Sequence, residues 1–141
     1  MESPLWLLYA LLSAVFAALV AIFGKIGLGK IDTTLATTVR AAVMFLLLLA
    51  AALAMGKMSG IGSIRGRAAL YIILSGMAGA ASWLCYFLAL KLGRASHVAA
   101  VDRFSVVLVI IMAALFLGEK AAWKDWVGVG LLTVGAILIA L

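Results

Sequence analysis

Residues 96–118 read SHVAAVDRFSVVLVIIMAALFLG, an apolar stretch that carries an acidic and a basic residue side by side, Asp102 and Arg103. Its length fits the roughly 17–25 residues that a helix needs to cross the hydrocarbon core of a bilayer. A charged side chain is costly at that depth, so it usually faces a partner or a wet cavity and marks a pathway. The stretch therefore predicts a membrane helix that contains a polar site.

The whole chain has the composition of an integral membrane protein. Of its 141 residues, 68% are hydrophobic and 11% are charged, whereas about a quarter of the residues in soluble domains are charged. Because the apolar residues come in long runs, we expect an all-α integral membrane domain over residues 1–141 with five transmembrane helices. The predicted bounds of these helices are Pro4–Phe23, Thr34–Met55, Ala68–Leu90, Ser96–Leu117 and Trp123–Leu141.

The net charge of +6 indicates contact with lipid headgroups, because most Lys and Arg residues lie between the apolar runs; nucleic acid is not an expected partner. Five crossings place the two ends of the chain on opposite sides of the membrane. Five of the basic residues near its surfaces lie on the N-terminal side and four on the other: Lys57, Arg65, Arg67, Lys120 and Lys124 against Lys25, Lys30, Lys91 and Arg94. An excess of one barely orients a chain under the positive-inside rule. Two alternatives stay open: a few of these residues decide one orientation, or both orientations insert and pair as an antiparallel dimer.

Three of the predicted helices bring unusual residues to one depth. Because a helix rises about 1.5 Å per residue, Arg40 and Asp102 each lie about 9 Å below the same membrane face. Trp83 and Tyr86 lie roughly 6–10 Å below that face. With two hydroxyl residues from the same helix faces, these residues predict one polar pocket. The candidate site residues are Arg40, Asp102, Arg103, Trp83, Tyr86, Ser82 and Thr37.

The charged candidates also have structural interpretations. Arg40 has a stem long enough to reach the headgroups. Asp102 cannot reach so far, and it needs an arginine, water or a proton. A structural ion pair between Asp102 and Arg40 or Arg103 therefore stays open beside a site for a substrate or a proton. The two arginines outnumber the one carboxylate, which hints at an anionic or zwitterionic ligand.

Further features follow in a fixed order along the chain. They are Lys25-x-Gly27, Ala89-Leu90, the helix start Ala95-Ser96, the corner Leu117-Gly118-Glu119, and the spaced Gly128 and Gly135. With these features, nearly the whole chain resembles the EamA domain of the drug/metabolite transporter superfamily, and in particular its five-helix bacterial and archaeal transporters.

The resemblance implies one half of an inverted-repeat, ten-helix transporter, completed by a second copy into an antiparallel homodimer around a central cavity. It also implies a multi-pass protein of the cell membrane that moves a small metabolite or amphipathic compound by alternating access. The related small multidrug resistance proteins carry a Glu in their first helix where this chain has Ala17 and Ala18. Asp102 is then the only membrane carboxylate left to carry a proton, and the coupling ion stays open. In the family the Leu-Gly-Glu corner is a helix–helix turn, so we expect Glu119 to bond backbone amides or Lys120.

Two other functions stay open. A flippase for lipid-linked substrates would use Arg40 and Arg103 to hold phosphate, and a non-transporting membrane scaffold subunit would seal the polar residues from water. An enzyme is not expected, because the chain has one His and no spacing typical of metal ligands or of a nucleophile with its base. We expect no cofactor beyond a coupling proton or ion. The expected partners are the lipid bilayer, a small-molecule substrate and a second copy of the chain.

Overall fold

The structure is a computed structural model that describes residues 5–141. Within that range the chain forms six α-helices and no β-strand. The helices are α1 (Leu5–Leu28), α2 (Thr33–Ala54), α3 (Gly66–Leu92), α4 (Ala95–Asp102), α5 (Phe104–Met112) and α6 (Trp123–Ala140), with a 3-10 helix over Lys57–Ser63 and a π-helical turn over Ala113–Leu117.

Five segments of residues 5–141 are long and apolar enough to cross a membrane. Four of them are single helices, and the fourth span, Ala95–Leu117, consists of α4, α5 and the π-helical turn. Large apolar side chains such as Phe45 and Phe116 are exposed along these spans, as expected of surfaces that meet lipid. The predicted all-α membrane fold is confirmed.

The first helix ends later than the sequence predicts. Its predicted start, Pro4, lies outside the described residues, and its predicted end at Phe23 is wrong, because α1 continues through Gly24 to Leu28. The residue that follows the helix, Gly29, has φ +35°, a conformation that favours glycine. Each described end of the other four spans lies within two residues of its predicted position. That the chain forms one domain stays a prediction.

Internal contacts group the described residues into two compact units, 5–25 with 92–141, and 26–91. In the first unit, α4 and α5 pack against α6, and Lys25 Nζ donates a hydrogen bond of 2.7 Å to the Gly93 carbonyl oxygen. In the second unit, Lys91 Nζ donates to the Ile31 carbonyl oxygen at 2.8 Å. Each lysine thus satisfies a carbonyl that a helix connection would otherwise leave to water.

In each unit an aspartate side chain caps the N-terminus of one helix. Asp32 Oδ1 accepts the amides of Thr34 and Leu35 at 2.9 and 3.0 Å, which caps the N-terminus of α2. In the other unit, Asp125 Oδ2 accepts the Ala122 amide at 2.7 Å at the start of α6. These bonds satisfy amide donors that a helix start leaves without intrahelical partners. The cap also fixes where α2 begins, and so the face on which its later side chains project.

Candidate functional site

A basic side chain and three aromatic rings meet between α2 and α3. The Arg40 Cζ atom lies 3.5 Å from the centroid of the Trp83 ring and 5.6 Å from that of Phe87. Tyr86 packs against Trp83 with 5.5 Å between ring centroids and 78° between the ring planes. A cation within about 6 Å of a tryptophan face is attracted by the negative face of the ring. We call these four residues, Arg40, Trp83, Tyr86 and Phe87, the Arg40 cluster.

Helical spacing explains how α3 presents these rings. Trp83, Phe87 and Leu90 follow an i, i+4, i+7 pattern and so share one face of the helix. Phe87 and Leu90 are buried, at 3% and 0% exposure, while Trp83 and Arg40 are half-buried. The buried part of this face holds the ring of Trp83 in place beneath the guanidinium.

The two hydroxyl residues predicted for the site, Thr37 and Ser82, do not bond the Arg40 guanidinium. Thr37 lies one turn before Arg40 and is 7% exposed, but its hydroxyl donates to the Thr33 carbonyl oxygen of its own helix at 2.7 Å. Ser82 precedes Trp83 on α3 and is exposed. Within residues 26–91, neither side chain makes a hydrogen bond to the Arg40 guanidinium.

The guanidinium of Arg40 has no carboxylate partner in its own unit. Residues 26–91 contain one acidic residue, Asp32, which lies about 12 Å from Arg40 along the axis of α2. The Asp32 carboxylate already accepts two backbone amides. Residues 26–91 therefore offer the Arg40 guanidinium no free carboxylate.

Asp102 and Arg103 lie at a local change of winding in the fourth span, which we call the interruption; the backbone of Arg103 stays right-handed helical, with φ −65° and ψ −13°. Helix α4 ends at Asp102, α5 begins at Phe104, and Arg103 joins them. The Arg103 amide donates to the Ala100 carbonyl oxygen at 3.2 Å, and the Val106 amide donates to the Arg103 carbonyl oxygen at 3.0 Å. Both bonds join residues three apart, a tighter winding than that of an α-helix, and such a stretch inside a helix often marks a functional hinge or strain. The sequence did not predict this interruption.

The two side chains of this doublet do not pair with each other. Adjacent residues on a helix project about 100° apart, so Asp102 and Arg103 cannot face one another. Both are exposed, and neither makes an ion pair or a side-chain hydrogen bond to the described residues of its unit, 5–25 and 92–141. That Asp102 and Arg40 share a pocket stays a prediction.

A small cleft of about 120 Å³ lies where the π-helical turn leads into α6. Among the described residues the Glu119 side chain bonds neither a backbone amide nor Lys120, so the expectation for this residue is wrong. The carboxylate that bonds a backbone amide here is Asp125, while Glu119 donates its own amide to the Ala113 carbonyl oxygen at 3.3 Å. The cleft is lined by Val109, Ile110, Ala113, Glu119, Lys120, Ala121 and Asp125.

Phe87 was missed as a member of the site. It lies four residues after Trp83, on the same face of α3, and its ring is 5.8 Å from that of Trp83. The i, i+4 spacing was the available signal, because it places two aromatic rings one above the other.

Comparison with known proteins gives the family. Residues 4–141 match the EamA-like transporter family. The chain belongs to this family. A relative from Sinorhizobium sp, named an uncharacterized transporter in the cobO 3′ region, is 46% identical over 138 residues, which cover 98% of this chain and 98% of the relative. No solved structure matches.

These findings confirm the resemblance and give a coarse function. With five segments able to span a membrane, the protein is a multi-pass transporter of the cell membrane. The family and the name of the relative point to transport rather than to catalysis.

Proposed function

We propose that this EamA-like protein is a secondary transporter of a small metabolite or amphipathic compound, and that it works by alternating access as an antiparallel homodimer. The observation that carries the proposal is the interruption of the fourth span at Asp102 and Arg103. The backbone of Arg103 stays in the right-handed helical region, with φ −65° and ψ −13°, but its hydrogen bonds join residues three apart. A stretch of tighter winding inside a helix often marks a functional hinge.

Asp102 is the natural coupling residue of this arrangement. It is the eighth residue of the span Ala95–Leu117, whereas Asp125 lies in the first turn of α6 and caps it. A carboxylate deep in a span without a partner in its unit can gain and lose a proton or a cation as its access to water changes. We therefore assign proton or ion coupling to Asp102, and we assign binding of the substrate to the Arg40 cluster.

Open glycine faces support a dimer. In α3 and α6, a Cβ atom built at each of five glycines meets no atom of the described chain within 4 Å. Glycine inside a helix costs roughly 0.5–1 kcal/mol relative to alanine, but small faces let membrane helices approach closely. A second copy would supply contacts at these positions. The five glycines are Gly76, Gly79, Gly128, Gly130 and Gly135.

Proteoliposomes filled with an aqueous bacterial metabolite extract test the transport activity, with mass spectrometry identifying every compound that leaves. We expect at least one compound to leave faster than from protein-free liposomes. Asp102→Asn should slow that flux about tenfold or more, because one interaction of a charged group contributes about 1.5–3 kcal/mol. Parallel liposomes with the extract outside detect uptake.

Glu119→Gln is the matched control, since it makes the same chemical change at an exposed carboxylate of the same unit, away from the interruption. It should keep the wild-type rate. Absence of any protein-dependent flux would contradict the proposal. So would equal rates for wild type and for a folded Asp102→Asn variant.

A further inference from the structure

We propose that the Arg40 cluster binds an anionic group, a carboxylate or a phosphate, carried by an apolar body. The inference rests on the proposed function and deepens it, because it gives the substrate a charge class and a contact surface. It is carried by the contacts and charges of residues 26–91, and not by the interruption of the fourth span.

Arg40 carries a charge that its unit leaves uncompensated. It is the eighth residue of the 22-residue helix α2, and so lies roughly 10 Å along the axis from the start of the span. A guanidinium cannot lose its proton in a protein, so burial cannot neutralise it. A cation at that depth needs a counter-charge or acceptors for its N–H groups, and the one carboxylate of residues 26–91, Asp32, is bound to the start of α2.

Stacking on Trp83 uses the flat face of a guanidinium and not its N–H groups. The Arg40 Cζ atom lies 3.5 Å from the ring centroid, a spacing that fits stacking of the flat face of the cation on the ring. The five N–H donors of a guanidinium lie in its plane, where they match the two oxygens of a carboxylate or phosphate. Trp83 therefore orients the guanidinium without using its donors.

The surroundings favour an anion with an apolar body. The unit of residues 26–91 contains six basic residues, Lys30, Arg40, Lys57, Arg65, Arg67 and Lys91, and one acidic residue, Asp32. This excess of positive charge repels a cationic ligand and attracts an anionic one. The half-buried rings of Trp83 and Tyr86 offer apolar surface beside the charge. An anion held by Arg40 would thus place its carbon atoms against these rings.

Trp83 itself can report binding. Replacing the other three tryptophans, Trp6, Trp123 and Trp126, by phenylalanine leaves Trp83 as the single tryptophan of the chain. The purified protein is titrated with cyclohexanecarboxylate, with cyclohexyl phosphate, and with the neutral cyclohexanecarboxamide. We expect a saturable change in Trp83 emission with the two anions and none with the amide.

Arg40→Gln should weaken binding of both anions about tenfold or more, because it removes a charged, two-point hydrogen-bonding partner. Arg40→Lys should lie between Arg40→Gln and wild type, since it keeps the charge but loses the fork. Arg67→Gln is the matched control: it makes the same change at an exposed arginine of the same unit, roughly 24 Å along α3 from Trp83. It should bind the anions as wild type does.

Three results would overturn the inference: no saturable response to either anion, equal affinity for the amide, or unchanged affinity in a folded Arg40→Gln variant. If the Arg40→Gln variant does not fold, the affinity of Arg40→Lys and the comparison of the anions with the amide still test the inference. Binding that is absent in wild type but appears in Asp102→Asn would also overturn it, because Asp102 would then be the counter-ion of Arg40.

Nanodiscs separate the two sources of such an anion. If phosphatidylglycerol nanodiscs weaken cyclohexyl phosphate binding relative to phosphatidylcholine nanodiscs, the bound anion includes a lipid headgroup. Equal binding in both supports a water-soluble anion. Because binding is measured without transport, anion binding without any flux would contradict only the proposed function. Flux without anion binding would contradict only the present inference.

Discussion

The carboxylates of Asp32 and Asp125 accept hydrogen bonds from backbone amides at helix starts. They are therefore not available as partners for the charged residues inside the spans. Asp32 accepts two amides at the start of α2, and Asp125 accepts one at the start of α6. Neither is then available to a cation deeper in its unit. Arg40, Asp102 and Arg103 are left as charged residues about two turns inside their spans, without an ion-pair partner in their own described units.

The depth of a residue in the membrane, counted from a predicted helix end, was enough to predict part of the Arg40 cluster. Because the rise per residue is fixed, Arg40 and Trp83 could be placed at one level, and the structure brings them into contact. Depth does not give rotation about the helix axis, however. The sequence therefore did not show that Thr37 bonds its own helix or that Phe87 joins the cluster.

The cap of α2 gives a prediction at this scale. Asp32→Ala should lower the free energy of unfolding by about 1 kcal/mol, because the Thr34 and Leu35 amides lose their acceptor. Asp32→Asn keeps a side-chain oxygen and should stay close to wild type. Thermal unfolding in detergent compares the two variants. Equal losses would show that the negative charge, and not the acceptor, stabilises the start of α2.

At the scale of elements, the sequence predicts where apolar runs lie but not how a helix ends or breaks. Three glycines follow Phe23 closely, and only Gly29 has the positive φ that stops α1. The fourth span breaks at Arg103 although no Gly or Pro stands there. Composition and length suffice for the five spans, because both follow from the thickness of the bilayer. The change of winding at Arg103 has no comparable signal in the sequence.

Two glycines differ in whether the backbone conformation requires glycine, and alanine substitutions test this difference. Gly118, after the π-helical turn, has φ +67°, whereas Gly130 lies inside α6; a Cβ at either meets nothing within 4 Å. Gly118→Ala should lower the free energy of unfolding by about 1–2 kcal/mol, because an L-residue is strained in the left-handed region. Gly130→Ala should not lower it in monomeric protein, since alanine is the better helix former. Denaturation in detergent measures both variants, and equal losses would contradict the strain at Gly118.

At the scale of the whole molecule, the chain supplies a single five-span unit of a transporter family. The number of crossings follows from the sequence. Orientation does not, because it depends on a difference of one among the basic residues near the two surfaces. The number of copies does not follow either, since contacts with a second copy leave no periodicity of their own. We propose that both orientations insert and that the open glycine faces of α3 and α6 meet the other copy.

Cysteine labelling tests this most directly. The chain has one cysteine, the exposed Cys85, and a Cys85→Ser background accepts either Ser59→Cys or Ser96→Cys without a change in charge. Both serines are exposed, and α3 alone crosses the membrane between them, so they lie on opposite sides of it. Intact cells are treated with a membrane-impermeant maleimide and then permeabilised to label the remainder. If both orientations insert, comparable fractions of each variant react before permeabilisation. Complete reaction of one variant and none of the other would contradict the antiparallel dimer.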